Sequence, residues 1–150
     1  MEEYDYIIDA IDSLKDKADL ILRATSLPKH ITFVSSMGAA LRRDPFMIRK
    51  AEFWKVKGDP LARALRKKFK NMKTSPSRKF QCVYSEEKPM ENMSVQKLVE
   101  HEWCSTKAQI NGSLCHITAS FGMAIAGIVI NGIIDAAGSP QPEPTDQAPE

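Results

Sequence analysis

The stretch DPFMIRKAEFWKVKGDPLARALRKKFKNMK, residues 44–73, decides how the chain is read. It contains two helix-start signals, Asp44-Pro45 and Asp59-Pro60. Each places a capping acid before a proline at the first helical position, where the missing N–H costs nothing. Gly58 separates the two expected helices. On the second, at 100° per residue, Leu61, Leu65, Phe69 and Met72 form one stripe, and Arg63, Arg66, Lys67, Lys70 and Lys73 occupy the opposite arc. One face is built to pack and the other is wholly cationic.

Toward the N-terminus, residues 2–24 also read as a helix. Tyr4, Ile7, Ile11, Leu14, Ala18 and Ile21 recur at spacings of three and four, and acids crowd the first turns, where they suit the helix dipole. The seam of Ile7, Ile11, Leu14 and Ile21 either packs on the chain's own core or self-associates into a homo-oligomer. After Leu27-Pro28, residues 30–43 are assigned to a further helix.

Beyond the Thr74-Ser75-Pro76-Ser77 break the pattern turns extended. Residues 79–85 (KFQCVYS) alternate as a strand, 86–93 form a polar loop, and Ser94 caps a short helix through Trp103. Asn111-Gly112 suits a two-residue hairpin turn, in which Thr106, Ala108, Ile110, Cys115 and Ile117 share one face. The apolar segment 117–137 admits three readings: buried strands around a second Asn-Gly at 131–132, a core helix, or a membrane-inserting segment. Residues 139–150 carry four prolines and three acids and should be disordered.

These elements add up to an α+β fold. A single domain spans 1–138, with a helical half at 1–73 and a mainly β half at 79–138, and residues 139–150 form a Pro-rich acidic tail. A chain of 150 residues with 43% apolar and 27% charged residues is long enough to bury such a core.

The net charge of +2 conceals a segregation. Residues 42–79 hold fourteen Lys or Arg against three acids, whereas residues 1–23 hold seven acids against three bases. A solvated helix face ordinarily mixes signs, so this bias points to a polyanion. The expected contacts are Arg42, Arg43, Arg49, Lys50, Lys55, Lys57, Arg63, Arg66, Lys67, Lys70 and Lys73, with Phe53 and Trp54 among them as stacking candidates that are more often core. No zinc finger, ribonucleoprotein aromatic motif or Gly-x-x-Gly clamp is present, so binding should be led by charge or shape.

Catalytic signals are scarce. His101-Glu102 lacks the second histidine of a metalloprotease helix, no glycine-rich phosphate loop precedes a helix, and no serine sits in a nucleophile elbow. His101, Cys104, Cys115 and His116 are soft enough for zinc, but the hairpin register separates the two sulfurs and turns His116 to the other face, so no metal site is assigned. Three cysteines form no even disulfide framework, and the acidic start lacks the pattern of a secretory signal. The expectation is a non-enzymatic intracellular protein that is not secreted, binds RNA or another nucleic acid through 42–73, and needs no cofactor and no small-molecule substrate. One alternative is a membrane-peripheral scaffold, of the matrix or viral-accessory kind, that meets anionic lipid and self-associates. The other is an adaptor that docks an acidic partner protein.

Overall fold

In the computed structural model, which describes residues 4–92 and 111–138, the first element is a strand, β1 (Tyr6–Asp9). The long N-terminal helix expected over 2–24 is thus cut in two. Ser13 stops it from extending backward: its hydroxyl accepts from the Asp16 N–H, and α1 runs only from Leu14 to Ser26. Ahead of that cap the Tyr-Ile-Ile run takes the extended conformation that aromatic and β-branched residues favour. The proposed self-association seam therefore does not exist as one surface. Ile7 lies on a strand, Ile21 is buried in the core, and Ile11 and Leu14 fall on either side of the cap.

Residues 30–43, assigned to a helix, instead give β2 (Thr32–Ser36) and a loop. Phe33 and Val34 are both buried, but on opposite faces of the sheet, and a segment covered on both sides shows no single period. Asp44-Pro45 does start a helical turn, with Asp44 capping the Phe46 N–H, but it ends after one 3-10 turn, Pro45–Met47. The chain then runs into β3 (Ile48–Glu52) and a second 3-10 turn, Phe53–Lys55. The second signal holds in full: Asp59 caps the Ala62 N–H and α2 spans Pro60–Asn71. The strand expected at 79–85 is β4 (Gln81–Ser85).

The sheet order is β1-β2-β4-β3, with β1, β2 and β4 parallel and β3 an antiparallel edge. One face carries α1 and α2, whose Ala18, Ile21, Leu65 and Phe69 meet Phe33, Phe80, Cys82 and Tyr84. Phe53 seals this layer, 5.0 Å from the Phe80 ring and 6.1 Å from Phe69. The other face carries α3 (Cys115–Gly138), which buries Ile117, Phe121 and Ile125 against Val34 and Val83.

The second strand of the expected hairpin, with Cys115 and Ile117, and the strand reading of 117–137 both give way to this one helix, and of the three readings of 117–137 the helix is the one observed. Ile117, Phe121 and Ile125 recur every four residues, which a helix places on one side. Gly132 lets the helix approach β1, since a Cβ there would lie 2.5 Å from the Tyr6 hydroxyl. By length and composition α3 is apolar enough to cross a membrane, yet its first half packs on the sheet. The helix expected at 94–103 and the first strand of the hairpin lie outside the described residues. Helices and a small mixed sheet together agree with the α+β class, although their order differs from the expected one.

Because Phe53 fills the junction of sheet and α2, Phe53→Ala should lower unfolding free energy by about 3–5 kcal/mol, read as a reduced urea midpoint with an unchanged slope.

Candidate functional site

The parallel strands β1 and β2 end side by side, and beyond their carboxyl ends lies a cavity of about 680 Å³. In open sheets of this kind ligands bind at that end, and the volume falls in the range of small-molecule sites. Its walls are the loop Ala10–Asp12, the loop Ser36–Arg42, Pro60 and Leu61 at the start of α2, and Thr118, Phe121, Gly122 and Ile125 of α3. Among the described lining residues Asp12 is the only carboxylate and Arg42 the only cation.

The loop after β1 is held by a buried polar cluster. Asp9, the last residue of the strand, pairs with Lys17 of α1 at 2.8 Å, and both side chains are fully buried. Asp9 also accepts from the Ser35 hydroxyl of β2 at 2.6 Å and from the Ile11 N–H at 2.9 Å, while Lys17 donates to the Ile11 carbonyl at 3.2 Å. Ile11 is thus fixed through both of its backbone groups, and Asp12 follows directly at the cavity wall.

The loop after β2 carries strain. Leu41 sits at φ +59°, a left-handed conformation that costs a leucine on the order of 1–3 kcal/mol. It is held by hydrogen bonds from its N–H to the Gly112 carbonyl and from the Met90 N–H to its own carbonyl. Next to it, Arg42 is only 1% exposed and lies 3.6 Å from the Asp59 carboxylate, and its side-chain nitrogens find no hydrogen-bond acceptor among the described residues. Burial lowers the guanidinium from its ordinary value, with Asp59 and Glu87 opposing. Burial also pushes the Asp59 carboxyl up, against the Ala62 N–H, Arg42, and the Gly38 and Leu61 N–H groups. Asp59 thereby joins α2 to the cavity loop, since it caps Ala62 and accepts from Gly38 at 3.1 Å. Glu87 accepts from the N–H groups of Arg43 and Asp44, both at 3.0 Å. Desolvation raises its carboxyl, but these bonds and the two nearby arginines outweigh it and leave the group below its usual range.

The expected cationic residues divide into four groups. Arg42 is withdrawn from the surface altogether, because it neutralises buried Asp59. Arg43 and Arg49 are exposed but pair with Glu87 and Glu86, at 4.0 and 3.4 Å. Arg66 donates to the carbonyls of Phe53 and Val56 and lies 5.6 Å from the Phe53 ring centroid. Lys50, Lys55, Lys57, Arg63, Lys67, Lys70 and Lys73 are exposed. Of the aromatic candidates, Phe53 is core and Trp54 is half exposed.

His101 and Cys104 lie outside the described residues. Cys115 is exposed, and His116 Nε2 lies 2.9 Å from the Arg43 carbonyl. No cluster of metal-ligating residues occurs among the described residues.

No family model matches the chain. It is, however, 35% identical to the tRNA threonylcarbamoyladenosine dehydratase of Haemophilus influenzae, over 87% of this chain and 51% of that protein. It is 30% identical to the Bacillus subtilis enzyme of the same name, over 85% of this chain and 48% of that one. The chain spans about half the length of these relatives. Among solved structures, the Escherichia coli tRNA N6-threonylcarbamoyladenosine dehydratase in complex with AMP matches at a TM-score of 0.69 and 26% identity, over 91% of this chain and 51% of that one. The same enzyme in complex with ATP matches at 0.65 and 28%.

These similarities overturn the expectation of a non-enzymatic polyanion binder, and with it the viral-accessory and membrane-scaffold alternatives: the relatives are enzymes named for a tRNA modification. The expectation of no small-molecule substrate falls as well, since the solved neighbours hold AMP and ATP. An intracellular setting agrees with relatives that act on tRNA, whereas a membrane surface has no support from them.

Sequence reading missed Asp9, Asp12, Lys17, Ser35 and Asp59 as parts of a site. A usable signal was present in Ile-Ile-Asp-Ala-Ile-Asp (residues 7–12), an apolar run that ends in two acids ahead of a capping serine. It was absorbed into a helical periodicity.

Lys17→Met leaves Asp9 buried without its counter-charge and should cost about 3–5 kcal/mol in urea unfolding. The double variant Lys17→Met/Asp9→Leu should recover most of that loss, which a double-mutant cycle would measure.

Proposed function

We propose that this chain is one half of an ATP-using tRNA dehydratase, and that its cavity at the ends of β1 and β2 forms one wall of the site where the modified adenosine is processed. The observation that carries this reading is the match of nearly the whole chain to half of enzymes so named, one of them solved with AMP and with ATP. The cavity's position supports it, because it lies where sheets of this kind bind nucleotides.

Its lining suits a neutral ring better than a polyphosphate. It is largely apolar, the only cation among its described lining residues, Arg42, is buried 3.6 Å from the Asp59 carboxylate, and the sequence has no glycine-rich phosphate loop. We therefore assign the phosphate cradle to the half of the enzyme that this chain does not match. Asp12, fixed at the wall by its neighbour Ile11, is the group of this half best placed to contact a reacting atom or a nucleotide-bound cation.

The exposed cations Arg63, Lys67 and Lys70 of α2, with Lys73 just beyond its end, then serve as contacts to the backbone of the RNA substrate. They supply affinity and orientation without reading sequence.

The test is conversion of tRNA bearing N6-threonylcarbamoyladenosine in the presence of ATP, with loss of one water from the nucleoside followed by mass spectrometry. Assembled with the nucleotide-binding half, the chain should catalyse this loss. Asp12→Asn should slow it at least about tenfold, the size expected for loss of a charged group at the reacting centre. Lys67→Glu/Lys70→Glu should weaken tRNA binding and flatten its salt dependence while leaving conversion at saturating tRNA intact. Absence of water loss with both halves present sinks the assignment.

A further inference from the structure

We propose that the β3 edge, bracketed by Phe46 and Trp54, is the surface along which a single-stranded segment of RNA lies, with bases stacked on the two aromatic rings. This rests on the reading of the chain as part of an RNA-acting enzyme and adds where, and in what form, the RNA is held.

The first observation is the display of the two rings. Phe46 is 86% exposed and Trp54 47% exposed, and they flank the two ends of β3 in the 3-10 turns Pro45–Met47 and Phe53–Lys55. The backbone beneath each is pinned. The Phe46 N–H donates to Asp44 and its carbonyl accepts from Arg49 Nη1 at 2.7 Å, while the Trp54 N–H donates to Glu52. Trp54 also rests edge-on against buried Phe53, with ring centroids 5.0 Å apart. Both rings are therefore presented on fixed backbone, which lowers the entropic cost of stacking a base.

The second observation is charge. Lys50 is exposed on the strand between the rings, as is Arg49, which pairs with Glu86 at 3.4 Å, and Lys55 and Lys57 follow Trp54. Arg66 of α2 packs on the same Phe53 that supports Trp54, which links this edge to the cationic face of the helix. Aromatic rings interleaved with cations suit single-stranded nucleic acid, whose splayed bases stack while its phosphates are neutralised. A duplex offers no free base faces to such rings.

The third observation is direction. β3 runs antiparallel to β4, with Ile48 opposite Ser85 and Glu52 opposite Gln81. Its first residue, next to Phe46, therefore lies at the carboxyl end of the parallel strands, the end that holds the cavity, and Trp54 lies toward the opposite end. Five strand residues span roughly 17 Å at ~3.3 Å each. A strand of RNA laid from Trp54 to Phe46 is thus led toward the cavity.

The experiment uses the full chain with Trp103→Phe, so that Trp54 is the sole tryptophan, titrated with a single-stranded RNA oligonucleotide, the same sequence as a duplex, and anionic phosphatidylserine vesicles. Saturable quenching of Trp54 fluorescence by the single strand, weaker with the duplex, is expected. Phe46→Ala and Trp54→Ala, read by the anisotropy of a fluorescently labelled single strand because the second variant has no tryptophan left, should each lower single-strand affinity at least about fivefold with the salt slope unchanged. Lys50→Glu/Lys55→Glu should reduce that slope. Wild-type affinity in both aromatic variants, equal binding of duplex, or quenching by vesicles alone would overturn the proposal. Conversion of modified tRNA, measured in parallel, separates the two ideas: retained conversion with unaffected aromatic variants removes only the stacking surface, and stacking without conversion removes the enzymatic reading.

Discussion

The buried pair of Asp9 and Lys17 is the constraint on which the rest of the arrangement depends. It joins the end of β1 to the second turn of α1, and through the Ser35 hydroxyl it also grips β2. Two charges removed from water are tolerable only when each is answered, and here the remaining capacity goes to both backbone groups of Ile11. A purely apolar junction of the same volume would be no less stable. It would not hold a loop in one conformation, and the position of Asp12 at the cavity wall follows from that loop.

A second buried pair repeats the device on the other side of the cavity. Asp59 starts α2, receives the Gly38 N–H and faces Arg42, so the helix that carries the cationic face and the loop that lines the cavity are one mechanical unit. The bond between Glu87 and the N–H groups of Arg43 and Asp44 extends that unit to the segment after β4. The exposed cations on the outside and the shaping of the cavity on the inside share a single helix, divided between its two faces.

What could be read in the sequence followed how local each signal was. Asp59-Pro60 and the α2 stripe are complete within one helix, and β4 alternates within seven residues, so both emerged correctly. The opening segment failed because Tyr4, Ile7 and Ile11 mimic a helical spacing that a strand followed by a capped turn also produces. Residues 117–137 stayed open among strands, helix and membrane segment because their glycines and Asn-Gly pair argued for turns, and the strand reading falls to the helix; the Tyr6 side chain packed at Gly132 lies 126 positions earlier, out of reach of any local pattern. The site itself was illegible for the same reason. Asp9, Ser35 and Asp59 look like ordinary polar residues until the sheet brings them together, and Arg42 counted as a surface cation because its partner lies seventeen positions away. The likeness to enzymes came from comparison with known proteins, since the described residues carry no complete catalytic constellation.

β1 ends the sheet with its outer row of backbone donors and acceptors unpaired by any described strand. Natural sheets blunt such rims with lysines, prolines or bulges; here the rim is Tyr-Ile-Ile, Ile8 is half exposed, and Ile130, Ile133 and Ile134 of α3 are exposed as well. In colloidal terms this is an adhesive flank on the edge opposite the cationic β3. The solubility of the chain at high concentration is therefore governed by how far this flank is kept from water and from other copies, more than by its net charge.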